Sequence, residues 1–248
     1  MLNLIDRLKK AKDANEKLLT VLIDPDKIKS EEQLKQFIGS CEFAKVDFFF
    51  VGGSLLINDE LNQCISLIKS ISKIPVIIFP GSTLQISNEA DAILFLSLIS
   101  GRNPELLIGN HVIAAPYLKR TNLEILPTGY ILVDCGNSTT VSYISNTIPI
   151  PFDKPEIAAC TALAGEMLGL KLIYLDGGSG AHKPISKNLI KTVQTQISLP
   201  IIVGGGIRSL NDATNAWEAG STVVVIGTAF EENPALIAEF RNRVSVAI

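Results

Sequence analysis

Three times in its last third the chain runs from a short apolar stretch straight into glycine. Lys171-Leu172-Ile173 leads into Tyr174-Leu175-Asp176-Gly177-Gly178-Ser179-Gly180-Ala181. Pro200-Ile201-Ile202-Val203 leads into Gly204-Gly205-Gly206-Ile207-Arg208, and Thr222-Val223-Val224-Val225-Ile226 into Gly227-Thr228. Apolar runs of this length read as buried strands. Glycine lets a backbone turn sharply and lie close to a ligand, and successive N–H groups in such loops can converge on an anion. One copy is explained by a tight βα turn. Three in succession predict a phosphate cradle at one end of a parallel barrel.

The rest of the chain supports that architecture. An amphipathic pattern over 4–18 predicts an N-terminal helix covering one end of the barrel. Leu18 to Ile23 is the first strand, ending in Asp24-Pro25-Asp26-Lys27, and Ser30-Glu31-Glu32 reads as the capped, acidic start of a helix. Further strands are expected at 47–51, 75–79, 92–96 and 124–133, and further helices at 61–71, 104–119, 155–168, 187–197, 210–219 and 234–244. The polar stretch 137–152 reads as a long surface connection. Continuous apolar strands alternating with helices imply a parallel sheet covered on both faces. Eight strands predict a single (β/α)8 TIM barrel with an N-terminal helix over residues 1–248, a usual length for that fold. An open doubly wound sheet is the alternative, but no G-x-G-x-x-G follows the first strand, which argues against dinucleotide binding.

Composition removes several function classes. The net charge is −3 and no basic tract stands out, so nucleic acid is not an expected partner. The charged stretch 1–16 lacks the apolar core of a signal peptide, and no apolar run has the length of a membrane span. A soluble, cytoplasmic protein is the expectation. The four cysteines, Cys41, Cys64, Cys135 and Cys160, form no C-x-x-C pair and are expected to be reduced and mostly buried.

In a barrel the C-terminal strand ends carry the chemistry. They collect Asp24, Asp26, Ser54, Ser82, Asp134, Tyr174, Asp176, Ser179, the glycines at 204–206, Gly227 and Thr228. Strands six to eight offer backbone N–H groups. Strands one and two offer a carboxylate, Asp24, and a hydroxyl, Ser54, the hard oxygen donors that suit Mg2+ together with water and substrate phosphate. Lys27 reads equally as an anion ligand or a solvated charge. His111 and Trp217 read as packing residues, and His182 as a general acid–base or an exposed side chain beyond the glycine loop.

Taken together, the stretches at 22–27, 51–54, 174–181, 203–208 and 226–228 resemble the geranylgeranylglyceryl phosphate synthase family, which includes bacterial relatives that make heptaprenylglyceryl phosphate. The resemblance covers nearly the whole chain. It implies a TIM barrel that uses Mg2+ to join a prenyl diphosphate to sn-glycerol 1-phosphate, in a homo-oligomer of two or more copies whose contact with membranes is at most transient. It implies a metal site at Asp24 and Ser54. It implies a glycerol phosphate site at Tyr174, Leu175, Asp176, Gly177, Gly178, Ser179, Gly180, Gly205, Gly206, Gly227 and Thr228, with Asp176 and Tyr174 catalytic. Asp176 departs from the glutamate usual in the archaeal motif, while the Gly178-Ser179-Gly180-Ala181 ending points to the larger, archaeal-like branch. The apolar runs 48–50 and 93–98 are candidates to line a prenyl tail. A phosphosugar isomerase, a heptaprenyl enzyme and a non-catalytic phosphate-binding subunit are the competing readings.

Overall fold

The computed structural model describes residues 3–58 and 60–246, with side chains described through residue 241. The ends of the expected single domain, Met1, Leu2, Ala247 and Ile248, lie outside the described residues. Eight strands pair in parallel and in sequence order to close a barrel, β8 pairing back onto β1. They are β1 (Leu18–Ile23), β2 (Phe48–Val51), β3 (Val76–Ile78), β4 (Ala92–Leu98), β5 (Glu124–Leu132), β6 (Leu172–Asp176), β7 (Ile201–Gly204) and β8 (Val223–Ile226).

Side-chain alternation along each strand divides the core in two. On β1, Leu19, Val21 and Ile23 face the helix layer, whereas Leu18 and Leu22 face the barrel axis with Phe48, Phe50, Ile77, Leu94, Leu132, Tyr174, Ile202 and Val225. Helix α1 (Leu4–Asp13) closes the N-terminal end, inserting Leu4 and Leu8 under the axis. Its first N–H groups, those of Leu4 and Ile5, donate to the Glu124 carboxylate at 2.7 and 2.9 Å, so a β5 side chain caps the helix that plugs the barrel.

The outer layer contains α2 (Glu31–Phe43), α3 (Leu61–Ile71), α4 (Asn110–Leu118), α5 (Thr140–Ser145), α6 (Pro155–Met167), α7 (Lys187–Gln196), α8 (Leu210–Glu218) and α9 (Thr228–Glu232). Ser30 caps α2 as the sequence suggests, its hydroxyl accepting from Gln33 N. A π-turn, Glu105–Gly109, leads into α4, and Trp217 is buried with Nε1 donating to Leu18 O.

Four expectations are corrected. The N-terminal helix stops at Asp13, because Asn15 takes a positive φ of 52° that ends it. The stretch 137–152 is not a plain surface connection: Thr139 and Ser142 form a capping box that starts α5, and Val133 bridges to Ile150. The last helix is 3-10, over Pro234–Val246. The helix–strand alternation also breaks once. No helix intervenes between β3 and β4, where residues 79–91 form an irregular connection and Val76 and Ile78 stay buried. Cys41, Cys64 and Cys135 are buried, and Cys160 is exposed on α6.

Candidate active site

The C-terminal rim contains a polar cavity of about 230 Å³. Its lining gathers most of the residues picked out in the sequence: Asp24, Ser54, Tyr174, Asp176, Gly178, Ser179, Gly180, Gly205, Gly206, Gly227 and Thr228. Leu175 and Gly177 are not on its wall. Strand alternation turns Leu175 outward into the helix-facing core, and Gly177 N donates to Gly204 O at 3.0 Å as part of the β6–β7 pairing. Asp134 also stays outside, its carboxylate accepting from Gly136 N in a local turn. His182 is exposed beyond the loop.

The glycine side is a double wall of backbone. Gly178, Gly180, Gly205 and Gly206 all take φ between 71° and 82°, a region that side chains disfavour. A Cβ on Gly205 would come within 2.6 Å of Gly177 N, and one on Gly206 within 2.4 Å of Lys183 O. The glycines of the β7 loop are therefore required first by the β6 loop packed behind them. Arg208 locks the two loops: its guanidinium donates to Ala181 O at 3.0 Å and to His182 O at 3.2 Å. Gly227 differs. Its φ is −118°, and a Cβ there meets nothing nearer than Leu22 at 3.4 Å. Ser179 and Thr228 hydroxyls lie 3.4 Å apart, joining the β6 and β8 ends.

Asp176 and Tyr174 are buried at the inner end of β6 rather than in the loop that follows it. Asp176 Oδ1 accepts from Gly178 N at 2.8 Å, and its Oδ2 accepts a short hydrogen bond from the Tyr130 hydroxyl. Burial pushes the Asp176 carboxyl above the usual aspartate range, against the opposing pull of those two donors. Burial, with the nearby Asp176 charge, holds the Tyr130 and Tyr174 hydroxyls well above their ordinary value, so both stay protonated at neutral pH. The tyrosine that positions Asp176 is thus Tyr130, on the neighbouring strand. Tyr174 instead stacks on Phe79 at 5.3 Å, with Tyr130 edge-on to it at 5.4 Å and Phe50 at 6.4 Å.

Opposite the glycine wall, side chains do the work. Asp24 caps the turn Pro25–Lys27, its Oδ1 accepting from Asp26 N at 3.1 Å, and burial raises its pKa against the lowering effect of Lys27. A Cβ on Gly53 would lie 3.6 Å from Asp24 Oδ1, which places the Ser54 loop directly against this carboxylate. Gln85 fixes that loop by accepting from Gly81 N and donating to Gly53 O, and Asp26 holds its far end through Ile57 N and Asn58 N. Lys27 Nζ sits 2.8 Å from Glu231 and 3.8 Å from Asp24. Among the described residues, no group of three or more His, Cys, Asp or Glu side chains is arranged to hold a metal.

A second cavity, of about 170 Å³, adjoins the first and shares Gly53, Ser54, Phe79, Tyr130 and Val141 with it. It is an apolar groove lined by Ile93, Leu94, Phe95, Leu96, Leu98, the loop residues Phe79 to Thr83 and the inner face of α4. The 93–98 run therefore lines a groove as expected. The 48–50 run does not: Phe48 and Phe50 fill the barrel axis, and Phe49 the helix-facing core. His111, at the groove wall, is edge-on to Phe95 and within 3.1 Å of Ser97 Oγ.

Tyr130, Phe79, Arg208, Gln85 and Glu231 complete the site without having been picked out in the sequence. Arg208 alone had a local signal, since it ends the Gly204–Arg208 stretch.

A closed parallel barrel with a backbone cradle on one side of its rim and oxygen donors on the other defines a TIM-barrel enzyme that handles phosphorylated substrates. The chain belongs to the PcrB family, whose model matches residues 12–244. Over 93% of its length it is 52% identical to a geranylgeranylglyceryl phosphate synthase of Chitinophaga pinensis, 91% of which is covered. It is 40% identical to the protein of the same name from Korarchaeum cryptofilum, with 97% of each chain covered. Among solved structures it resembles (S)-3-O-geranylgeranylglyceryl phosphate synthase from Thermoplasma acidophilum in complex with sn-glycerol-1-phosphate. That match has a TM-score of 0.89 at 33% identity and covers 98% of this chain and 97% of the other.

Proposed function

We propose that this chain is a prenyltransferase that joins geranylgeranyl diphosphate to sn-glycerol 1-phosphate, giving geranylgeranylglyceryl phosphate and diphosphate. The observation that carries this reading is the polar cavity opening into an apolar groove across Ser54, Phe79 and Tyr130. A phosphosugar isomerase needs the first and has no use for the second.

In this reading the glycerol phosphate lies against the loops after β6, β7 and β8, its phosphate near Gly205, Gly206, Gly227 and Thr228. Its hydroxyls reach Asp176. The attacking hydroxyl oxygen forms the new bond to C1 of the prenyl chain as the C1–O bond to diphosphate breaks, and diphosphate leaves with the electron pair. The hydroxyl proton passes to Asp176, whose raised pKa makes it a stronger base than an ordinary aspartate. Tyr130 and Gly178 N hold that carboxylate in place while leaving it lone pairs to accept from substrate. Phe79, its ring stacked on the buried Tyr174, borders the point where positive charge develops on the allylic carbon.

Mg2+ belongs to the same proposal. The lining holds three carboxylates, Asp24, Asp176 and Glu231, against two cations, Lys27 and Arg208, so two phosphorylated anions need added positive charge. Asp24 and Ser54 supply one carboxylate and one hydroxyl, a donor set that suits Mg2+ completed by water and diphosphate oxygens. When bound, the ion would neutralise charge on the leaving diphosphate.

Among the described residues no helix is long and apolar enough to cross a membrane. A cytoplasmic setting and an assembly of two or more copies complete the reading. The test is direct: purified protein is offered each glycerol phosphate enantiomer with C15, C20 and C35 prenyl diphosphates, with and without Mg2+. The expected result is an ether product from the C20 donor and the sn-1 acceptor that depends on Mg2+. Product from the C35 donor alone would make it a heptaprenyl enzyme, and no ether product from any pair would overturn the reading.

A further inference from the structure

Three carboxylate residues, one lysine and one arginine line the polar cavity. Arg208 is committed to the carbonyls of Ala181 and His182. Lys27 is held differently. Its ammonium faces Glu231 at 2.8 Å and Asp24 at 3.8 Å, and the lysine and Glu231 side chains are both partly exposed. The pair also borders a separate cavity of about 630 Å³ between β1, the 25–27 turn, α2 and α9. Lys27, Glu231 and Asp24 line both spaces, so the ion pair is a partition with room on either side. A lysine on a flexible four-carbon stem, paired to a solvent-reached carboxylate, can change partner at little cost.

We propose that Lys27 is a binding residue for the diphosphate group, and that Glu231 holds it ready beside Asp24. This rests on the prenyltransferase reading above. When the diphosphate arrives at the Asp24 side, the ammonium exchanges Glu231 for a phosphoryl oxygen. It keeps its proton, and no bond other than hydrogen bonds changes. A compact ammonium with three donors suits a group whose charge is spread over several oxygens and must later leave. Glu231 then acts as a competitor for the same cation. It lowers affinity for the product diphosphate, and so favours its release.

The competitor relation gives a test in which two variants move in opposite directions. Inorganic diphosphate is titrated calorimetrically, with Mg2+ present, into the full-length wild type, Lys27→Met and Glu231→Gln. Steady-state constants for both substrates are measured alongside. Lys27→Met is expected to weaken diphosphate binding about tenfold or more, the scale of one hydrogen bond to a charged group. It should raise the prenyl diphosphate KM in step, with the glycerol phosphate KM within about twofold of wild type, a margin far below that scale. Glu231→Gln, which frees the lysine, is expected to tighten diphosphate binding. Loss of diphosphate affinity in both variants would overturn the proposal, since it would mark the pair as structural. So would unchanged diphosphate binding in Lys27→Met, or a rise confined to the glycerol phosphate KM. If the two variants shift diphosphate affinity in opposite directions while wild type makes no prenyl ether, the prenyltransferase reading fails and the role of Lys27 as a polyphosphate ligand stands.

Discussion

The two sides of the rim recognise charge by different means. Around β6, β7 and β8 the wall is backbone, and the β6 and β7 loops pack on each other: Gly205 against Gly177 and Gly178, Gly206 against Lys183, Arg208 across both. Around β1 and β2 the wall is side chain. Asp24, Ser54 and Lys27 present oxygen and nitrogen atoms from loops that are themselves held by Gln85 and Asp26. A fixed backbone cradle suits a phosphate that binds and stays through the reaction. Mobile side chains and a metal suit a diphosphate that must leave. The apolar groove joins the second side at Gly53 and Ser54.

The comparison can be broken most sharply at Asp176, which lies on the backbone side and is the proposed base. Asp176→Asn is expected to lower kcat by roughly 10²- to 10⁴-fold, the usual worth of a positioned base, with a much smaller change in glycerol phosphate KM; a raised KM at full kcat would reduce this residue to a hydroxyl ligand. Its stability should move the other way. The folded-state pKa is raised, so this residue's contribution to stability is greatest at acid pH. It declines as pH rises from the ordinary aspartate value of about 3.9 through the raised one. Asn cannot ionise, so the melting temperature of the variant relative to wild type should climb across that window. A flat difference would show that burial does not strain this carboxylate.

On the side-chain wall, Asp24→Asn is expected to cost roughly 10²-fold in kcat/KM at limiting Mg2+, partly restored by excess metal. A loss that no Mg2+ concentration relieves would remove Asp24 from the metal. Gly205→Val tests the claim that the backbone wall is rigid because its loops interlock. It forces a side chain into a positive φ and onto Gly177 N, so a stability loss of about 1–3 kcal/mol should accompany a raised glycerol phosphate KM. A raised KM without destabilisation would mean the glycine serves the ligand alone.

The smallest effect lies below the rim, where neither side is at stake. Thr20 is fully buried, and its Oγ1 has no hydrogen-bond partner among the described residues. Thr20→Val keeps the shape and removes an unpaired polar atom, so it should leave activity unchanged and stabilise the barrel by about 1 kcal/mol. A destabilised variant would point to a partner for this hydroxyl.

The same division explains what the sequence makes legible. The backbone side could be read directly, because loops that must take positive φ show themselves as glycine after β6 and β7, and a third glycine follows β8. The barrel followed from continuous apolar strands alternating with helices, and the bounds of strand β1 and helix α3 agree with the expectation to the residue. Tyr130 was not legible: it sits inside an apolar strand and meets Asp176 only because β5 and β6 pair in register, Leu132 beside Asp176. Glu231 comes from a short helix after β8 that no periodicity marks. The groove was legible in part: the 93–98 run marked one wall, whereas the loop residues Phe79 to Thr83 and Ile86 on the other carry no motif.

The central claim is that the two sides divide the substrates. It is tested most directly by calorimetric titration of sn-glycerol 1-phosphate alone, and of a non-ionising prenyl thiolodiphosphate with Mg2+ alone, into Gly227→Val and Asp24→Asn. Gly227 is the informative glycine, since its Cβ position has space against Leu22 and the fold does not require it. The account predicts that Gly227→Val loses glycerol phosphate and keeps the prenyl ligand, and that Asp24→Asn does the reverse. Loss of the prenyl ligand in Gly227→Val, or of the same ligand in both variants, would contradict it.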